Sequence, residues 1–88
     1  MRIWFKTYKN ARIEKSETVE IYSEDTRTHK IFQAIEQMTY LFDLSTPIWL
    51  DANVRDFQKR SRTRFYQDNF VEEISFDYLE MQVLEEDW

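Results

Sequence analysis

The residues that decide the fold are Thr26–Asp43, with the sequence TRTHKIFQAIEQMTYLFD. Apolar side chains recur here at the three- and four-residue spacing that places them along one side of an α-helix. This stripe consists of Ile31, Ile35, Met38 and Phe42, with Phe32, Ala34 and Leu41 beside them. The residues before it, Ser23–Asp25, are expected to cap the helix, because their oxygens can accept hydrogen bonds from its free N–H groups. The rest of the chain must supply a surface that buries the stripe.

The segment before the helix is predicted to form an antiparallel hairpin. Residues 2–9 and about 12–22 alternate in the way that is typical of strands. Between them, Asn10 is the residue best able to adopt a positive φ angle. The residues expected on the inner face of the hairpin, against the helix stripe, are Ile3, Phe5, Val19 and Ile21.

After the first helix, Pro47 interrupts the chain and a second helix is predicted over about 52–60. Its cap is expected within 51–53, and Val54 and Phe57 are expected to face the core. Residues 62–66 could either continue this helix or form a short strand. A last strand over 78–84 is predicted to join the sheet of the hairpin, after a change of phase near Asp77. The fold class is therefore a single α+β domain, 1–88.

Composition limits the class of protein further. The chain has 88 residues, a net charge of -5, no cysteine and no glycine. The absence of cysteine excludes disulfides and thiolate metal sites, and the absence of glycine excludes the common phosphate-binding loops. The apolar run at the N-terminus is too short for a signal peptide, and no segment approaches the length of a membrane span. We therefore expect a cytoplasmic protein without a membrane partner.

Three segments give the chain a wider resemblance. The opening RIWFK, the central TPIWL and the closing QDNFVEEISFDYLEMQVLEED resemble a group of small, uncharacterised proteins from Gram-positive anaerobes. The resemblance is one of layout over nearly the whole chain. It implies no activity and no functional residue.

The acidic C-terminal third gives the leading functional hypothesis. Residues 65–88 carry eight acidic side chains and no basic one. Such a surface is expected to dock on a basic, nucleic-acid-handling protein, as an inhibitor from a phage or mobile element would. The alternative is a solvated strand edge and tail, where charge prevents aggregation. The candidate partner-binding residues are Glu72, Glu73, Asp77, Glu80, Glu85 and Glu86, with Tyr40 on the outer side of the first helix.

A basic run gives the competing hypothesis of a nucleic-acid-binding domain. Its cations could contact phosphates. The alternative is that they pair with carboxylates of the same fold. The residues concerned are Arg55, Lys59, Arg60, Arg62 and Arg64.

The outer face of the first strand is a third candidate surface. Trp4, Lys6 and Tyr8 share it, and Tyr22 is expected opposite them on the second strand. An aromatic and basic sheet face can stack bases. It can equally be covered by the second helix or form the contact of a homodimer. Covering by the helix is the expected arrangement, because large exposed aromatic patches are uncommon on monomers.

Enzyme chemistry has little support in the sequence. The single histidine, His29, lies among polar residues without a second metal ligand nearby in the sequence. Carboxylates over 72–80 offer oxygen ligands for a divalent cation, and a small enzyme with such a site is the second alternative. The expectation is a non-enzymatic interaction module without a cofactor.

Overall fold

Four strands and two α-helices form the fold in the order ββααββ. The computed structural model describes residues 1–87. The elements are β1 (Arg2–Lys9), β2 (Arg12–Glu20), α1 (Arg27–Phe42), α2 (Asp51–Arg60), β3 (Arg62–Phe65), a single 3-10 turn (Gln67–Asn69) and β4 (Tyr78–Glu85). The predicted α+β class is confirmed, and residues 62–65 form a strand.

The strands form one antiparallel sheet in the order β2-β1-β4-β3. The C-terminal strand β4 therefore lies at the centre, where it pairs with β1 on one side and β3 on the other. The register places Phe5 opposite Met81 and Lys6 opposite Glu80. Residues opposite each other point to the same face, so the register defines two faces of different composition.

Helix α1 buries the stripe that the sequence predicts. Its buried apolar residues pack with Ile3, Phe5 and Met81 from the inner face of the sheet. These helix residues are Ile31, Ala34, Ile35, Met38 and Phe42. Phe32 and Leu41 are each about half exposed, because they lie at the sides of the stripe.

The predicted cap of α1 is wrong by one residue. Thr26 is the N-cap, and its Oγ1 accepts a hydrogen bond from the backbone N–H of His29 at 3.3 Å. Thr26 has extended backbone angles, as an N-cap requires, whereas Ser23–Asp25 lie too early to reach the first free N–H groups.

Helix α2 lies on the same face of the sheet as α1. Phe57 is buried there, and its ring meets that of Trp49 edge-on at 5.6 Å. The helix begins after Leu50, whose N–H donates to the side chain of Asn53 at 3.0 Å. Val54, expected in the core, is 42% exposed, because Asn53 and Phe57 form the buried side of this short helix.

A buried amide network fixes α2 to the chain that follows it. The Asn53 side chain donates to Thr63 and to the carbonyl of Arg64, both at 2.8 Å. It also accepts a bond from the side chain of Asn69 at 2.7 Å. Because buried amides are costly when unpaired, this network selects one position for α2 against β3.

Without glycine, other residues adopt the left-handed backbone conformation. Asn10 does so as predicted, with φ 53°, and Ala11 follows with φ 63°. Asp43 and Ser61 adopt it where α1 and α2 end. Only Ala11 among these lacks a polar side chain that can offset the steric cost.

Within residues 1–87, no helix is both long and apolar enough to cross a membrane.

Replacing Ala11 by glycine is expected to stabilise the protein. The φ angle of 63° costs alanine about 1 kcal/mol that glycine does not incur, although glycine loses more entropy on folding. We expect the free energy of unfolding in urea to rise by about 0.5 kcal/mol.

Ala52 supplies the matched control, since it is an exposed alanine inside α2. Ala52→Gly should lower the free energy of unfolding by about 0.5–1 kcal/mol. An Ala11→Gly variant that is destabilised as much as Ala52→Gly would contradict this account of the turn.

Candidate functional site

The sheet has one face that neither helix covers. Both helices bury their apolar sides against the face that carries Phe5, Phe65 and Met81. The alternate residues of the strands point the other way. We call the resulting surface the open face. Its centre is formed by Trp4, Lys6 and Tyr8 of β1 and by Tyr78, Glu80 and Gln82 of β4. The expectation that α2 covers this face is wrong, because Asn53 and Phe57 hold α2 on the opposite side.

A row of three tyrosines crosses one end of the open face. The rings of Tyr8 and Tyr78 are stacked with their centroids 4.8 Å apart. Tyr66, just after β3, lies 5.5 Å from Tyr78 and is 48% exposed. We call these residues the tyrosine row. It runs from β1 across β4 to the residue that follows β3.

Trp4 adds an aromatic ring further along β1. Its indole N–H donates to the hydroxyl of Ser16 on β2 at 2.7 Å, which holds the ring over the sheet. Trp4 remains partly accessible, as do Tyr8 and Tyr78. Tyr22 lies past the end of β2 at Glu20, at the Arg2 end of this face, where a hydrogen bond to Glu20 raises the pKa of its 72% exposed side chain.

A charged triad lies at the centre of the open face. The carboxylate of Glu80 contacts Lys6 Nζ at 2.8 Å and Arg64 Nε at 2.9 Å. Lys6 and Glu80 are each 5% exposed, so their contact is a buried ion pair. Lys6 Nζ also lies 3.7 Å from the centroid of a Trp4 ring, and the Arg64 guanidinium lies 4.7 Å from that of Tyr78. The triad therefore connects the charged side chains of the open face to its aromatic side chains.

The pKa of Glu80 reflects two opposing effects. Burial raises the pKa, since it disfavours the charged form, but hydrogen bonds from Lys6 and Arg64 outweigh burial and lower it overall. The pKa of Arg64 is raised, chiefly by its hydrogen bond to Glu80. Glu80 and Arg64 are therefore charged at neutral pH, and the triad holds two cationic side chains against one carboxylate.

The structure divides the predicted basic run into two groups. Arg60, Arg62 and Arg64 line one cavity of about 340 Å³ beside the edge strand β3. Arg55 and Lys59 lie elsewhere on the exposed surface of α2. Arg62 is exposed and has no carboxylate within 4.0 Å among residues 1–87. The basic run thus supplies the open face with cations along its β3 edge.

Most carboxylates of the acidic C-terminal third have partners in the same chain. Glu86 forms a two-pronged ion pair with Arg27, with distances of 2.9 and 2.8 Å. Asp87 pairs with Lys30 at 2.5 Å, and hydrogen bonds from Lys30 and the Met1 amine lower its pKa. These pairs hold the C-terminal segment against α1.

Other acidic residues of that third cap backbone groups. Glu72 accepts hydrogen bonds from the N–H and hydroxyl of Ser45 at 2.8 and 2.9 Å. Asp77 accepts one from the N–H of Asn10 at 2.9 Å. Glu85 lies 3.8 Å from Arg2, and both side chains are exposed. Glu73 is exposed and forms no ion pair within the described chain.

Tyr40 and His29 lie away from both the open face and the acidic C-terminal third. Tyr40 is 78% exposed on α1, and His29 lies 3.8 Å from Asp25 at the start of that helix. Among residues 1–87, no group of three histidine, aspartate or glutamate side chains is arranged to hold a metal ion.

Part of the open face was absent from the sequence prediction. The sequence analysis does not place Tyr66 and Tyr78 on this face, because it does not predict the pairing of β3 with β4. The signal for that pairing is the charge pattern, since Arg64 and Glu80 lie opposite each other on neighbouring strands.

Comparison with protein families, with characterised proteins and with solved structures found no match to this chain.

Removing the charge of Glu80 is expected to destabilise the fold strongly. Glu80→Gln leaves the buried ammonium of Lys6 without a counter-charge, and breaking a buried pair typically costs about 3 kcal/mol or more. The measurement is the free energy of unfolding in urea at pH 7. Glu73→Gln is the matched control, because Glu73 is exposed, and it should change this free energy by less than about 0.5 kcal/mol.

Acid pH should erase the difference between the wild type and Glu80→Gln. Because the folded-state pKa of Glu80 is lowered, its contribution is present above the unfolded-state pKa of about 4.3 and is lost as pH falls through the folded-state value. A difference that stays constant from pH 7 to pH 2.5 would show that the triad does not act through charge.

Proposed function

We propose that this protein binds single-stranded nucleic acid on the open face of its sheet. The observation that carries the proposal is the tyrosine row beside Trp4 and the arginines of β3. Aromatic rings on a sheet can stack bases of any sequence, and nearby cations can contact the phosphates. An uncovered four-stranded sheet with aromatic residues on its central strands is also the arrangement by which a common class of RNA-binding domains holds bases, although this likeness is an analogy of layout alone.

Charge distribution supports this choice of surface. The outward side chains of the four strands include Arg2, Lys6, Arg62 and Arg64 against Glu20, Glu80 and Glu85. The open face therefore carries a small excess of positive charge along β3, even though the chain has a net charge of -5. A local positive surface is sufficient to attract a phosphate backbone over distances below about 8 Å in physiological salt.

The aromatic residues of the open face lie outside the buried core, which makes them available for binding. The core already contains Phe5, Phe65 and Phe57 on the helix side of the sheet. Trp4, Tyr8 and Tyr78 add no contact to that core, and Tyr66 is about half exposed. Aromatic residues placed away from the core on a solvent-facing sheet are typical of a surface that meets a planar ligand.

The proposal predicts that the tyrosine row contributes to affinity for a fluorescent single-stranded 12-mer. Tyr8→Ala and Tyr66→Ala should each weaken binding about tenfold, since one stacked base contributes about 1–3 kcal/mol. Tyr8→Phe should retain most of the affinity, because it keeps the ring. The measurement is fluorescence anisotropy at 50 mM salt, on variants whose circular dichroism matches the wild type.

Tyr40→Ala is the matched control, because Tyr40 is 78% exposed on α1, away from the sheet. It should bind as the wild type does. Affinity should also fall with salt, with a slope near -2 in a plot of log affinity against log salt if about three phosphates are contacted. No binding of the wild type at 50 mM salt, or equal losses in Tyr8→Ala and Tyr40→Ala, would refute the proposal.

Docking of the acidic C-terminal third on a basic protein remains the alternative proposal. One observation favours it: Val71 is 89% exposed and lies beside Glu72 and Glu73, so an apolar side chain is presented among carboxylates. An inhibitor of a nucleic-acid-handling enzyme would contact its target through such a patch.

This alternative predicts that Val71→Ser with Glu73→Lys abolishes capture of a basic partner from nuclease-treated lysate. Both residues are exposed, so the fold should be unaffected. Lys59→Glu, which alters exposed charge on α2, is the control. If the double variant captures the same proteins as the wild type, the acidic third is not the interface.

A further inference from the structure

The cavity beside β3 differs from the rest of the open face in its concentration of arginine. We call it the arginine cavity. It has a volume of about 340 Å³ and is lined by Arg60 at the end of α2, by Arg62 and Arg64 of β3, by Tyr66, and by Asp56 and Glu80. Since β3 is an edge strand, the cavity lies where the sheet ends.

The guanidinium groups in this cavity retain donors for a ligand. Arg64 uses its Nε for Glu80 and also hydrogen-bonds to Tyr66, which leaves further guanidinium donors for a ligand. Arg60 approaches Asp56 only at 3.8 Å, with both side chains about half or more exposed. Arg62 has no carboxylate partner within the described chain. Lys6 shares the charge of Glu80, which leaves the cavity positive.

Three arginines around one small cavity favour a phosphate over other ligands. A guanidinium presents a planar set of donors that matches two phosphate oxygens at once. A terminal phosphate monoester carries a charge of about -1.5 to -2 at neutral pH, whereas an internal diester carries one negative charge. The monoester therefore gains more from the concentration of positive charge.

The tyrosine row connects the arginine cavity to the open face. Tyr66 belongs to both, and its ring lies 5.5 Å from that of Tyr78. A nucleotide whose phosphate lies among the arginines can place its base against Tyr66. The next bases can then follow the row toward β1. The cavity at the end of the tyrosine row is therefore suited to the terminal nucleotide of a single-stranded nucleic acid.

We propose that the arginine cavity binds the terminal phosphate of a single strand lying on the open face. This inference rests on the proposed function and adds recognition of a strand end to it. A 5′-phosphate and a 3′-phosphate present the same dianion, so the chemistry is shared and the experiment separates the two ends.

The test compares three 12-mers of one sequence by fluorescence anisotropy: one with a 5′-phosphate, one with a 3′-phosphate and one with hydroxyls at both ends. One phosphorylated form should bind the wild type about tenfold more tightly than the hydroxyl form, because charge-assisted hydrogen bonds contribute about 1.5–3 kcal/mol. Arg62→Ala should remove this advantage. Arg62→Lys should restore only part of it, since lysine keeps the charge but not the planar donors.

Arg55→Ala is the matched control, because Arg55 is an exposed arginine of the same basic run that does not line the cavity. It should leave the tenfold advantage intact. Equal affinities of all three 12-mers for the wild type would overturn this inference and leave stacking on the open face supported. Failure of every 12-mer to bind would overturn the proposed function as well. Equally tight binding of a phosphotyrosine peptide would overturn the assignment of the cavity to nucleic acid.

Discussion

The buried carboxylate of Glu80, held between Lys6 and Arg64, is the constraint on which the open face depends. It joins the two central strands to the edge strand β3, at distances of 2.8 and 2.9 Å. Each of its partners also lies over an aromatic ring, Lys6 over Trp4 and Arg64 over Tyr78. A single carboxylate therefore contacts a cation on each neighbouring strand, and both cations contact aromatic rings of the open face. Removal of its charge would leave a buried cation unpaired, which is among the more costly changes a fold can suffer.

The two faces of the sheet have different roles, one in packing the core and the other in forming the open face. On one face, the stripe of α1 and Phe57 of α2 bury the apolar residues of the strands. On the other, the buried pair of Lys6 and Glu80 lies among partly exposed aromatic rings, and the arginines of β3 are exposed. The acidic side chains that dominate the sequence mostly stabilise the fold: Glu86 and Asp87 hold the C-terminal segment to α1, and Glu72 and Asp77 cap backbone groups. Arg27 and Lys30 neutralise the charges of Glu86 and Asp87 locally, whereas Glu72 and Asp77 keep their negative charge.

Periodicity predicted the elements but not how they meet. The alternation in 2–9 and the stripe in α1 follow from local spacing, so both elements and their buried residues are visible in the sequence. The pairing of β4 with β3 is not visible in the sequence. Strand β3 has four residues, too few alternations to distinguish it from the end of α2. The tyrosine row was missed for this reason, since Tyr66 and Tyr78 meet only when β3 pairs with β4. The position of α2 was predicted wrongly because it depends on the Asn53 network, whose partners Thr63 and Asn69 lie 10 and 16 residues away.

Nuclear magnetic resonance mapping shows directly which face of the sheet a single-stranded ligand contacts. The protein, labelled with ¹⁵N and ¹³C, would be titrated with an unlabelled single-stranded 12-mer at low salt. We expect the largest shifts on the rings of Trp4, Tyr8 and Tyr78 and on the side chain of Arg64, with α1 unaffected. Shifts confined to the helices or to the acidic loop at 71–73, with the open face unchanged, would contradict it.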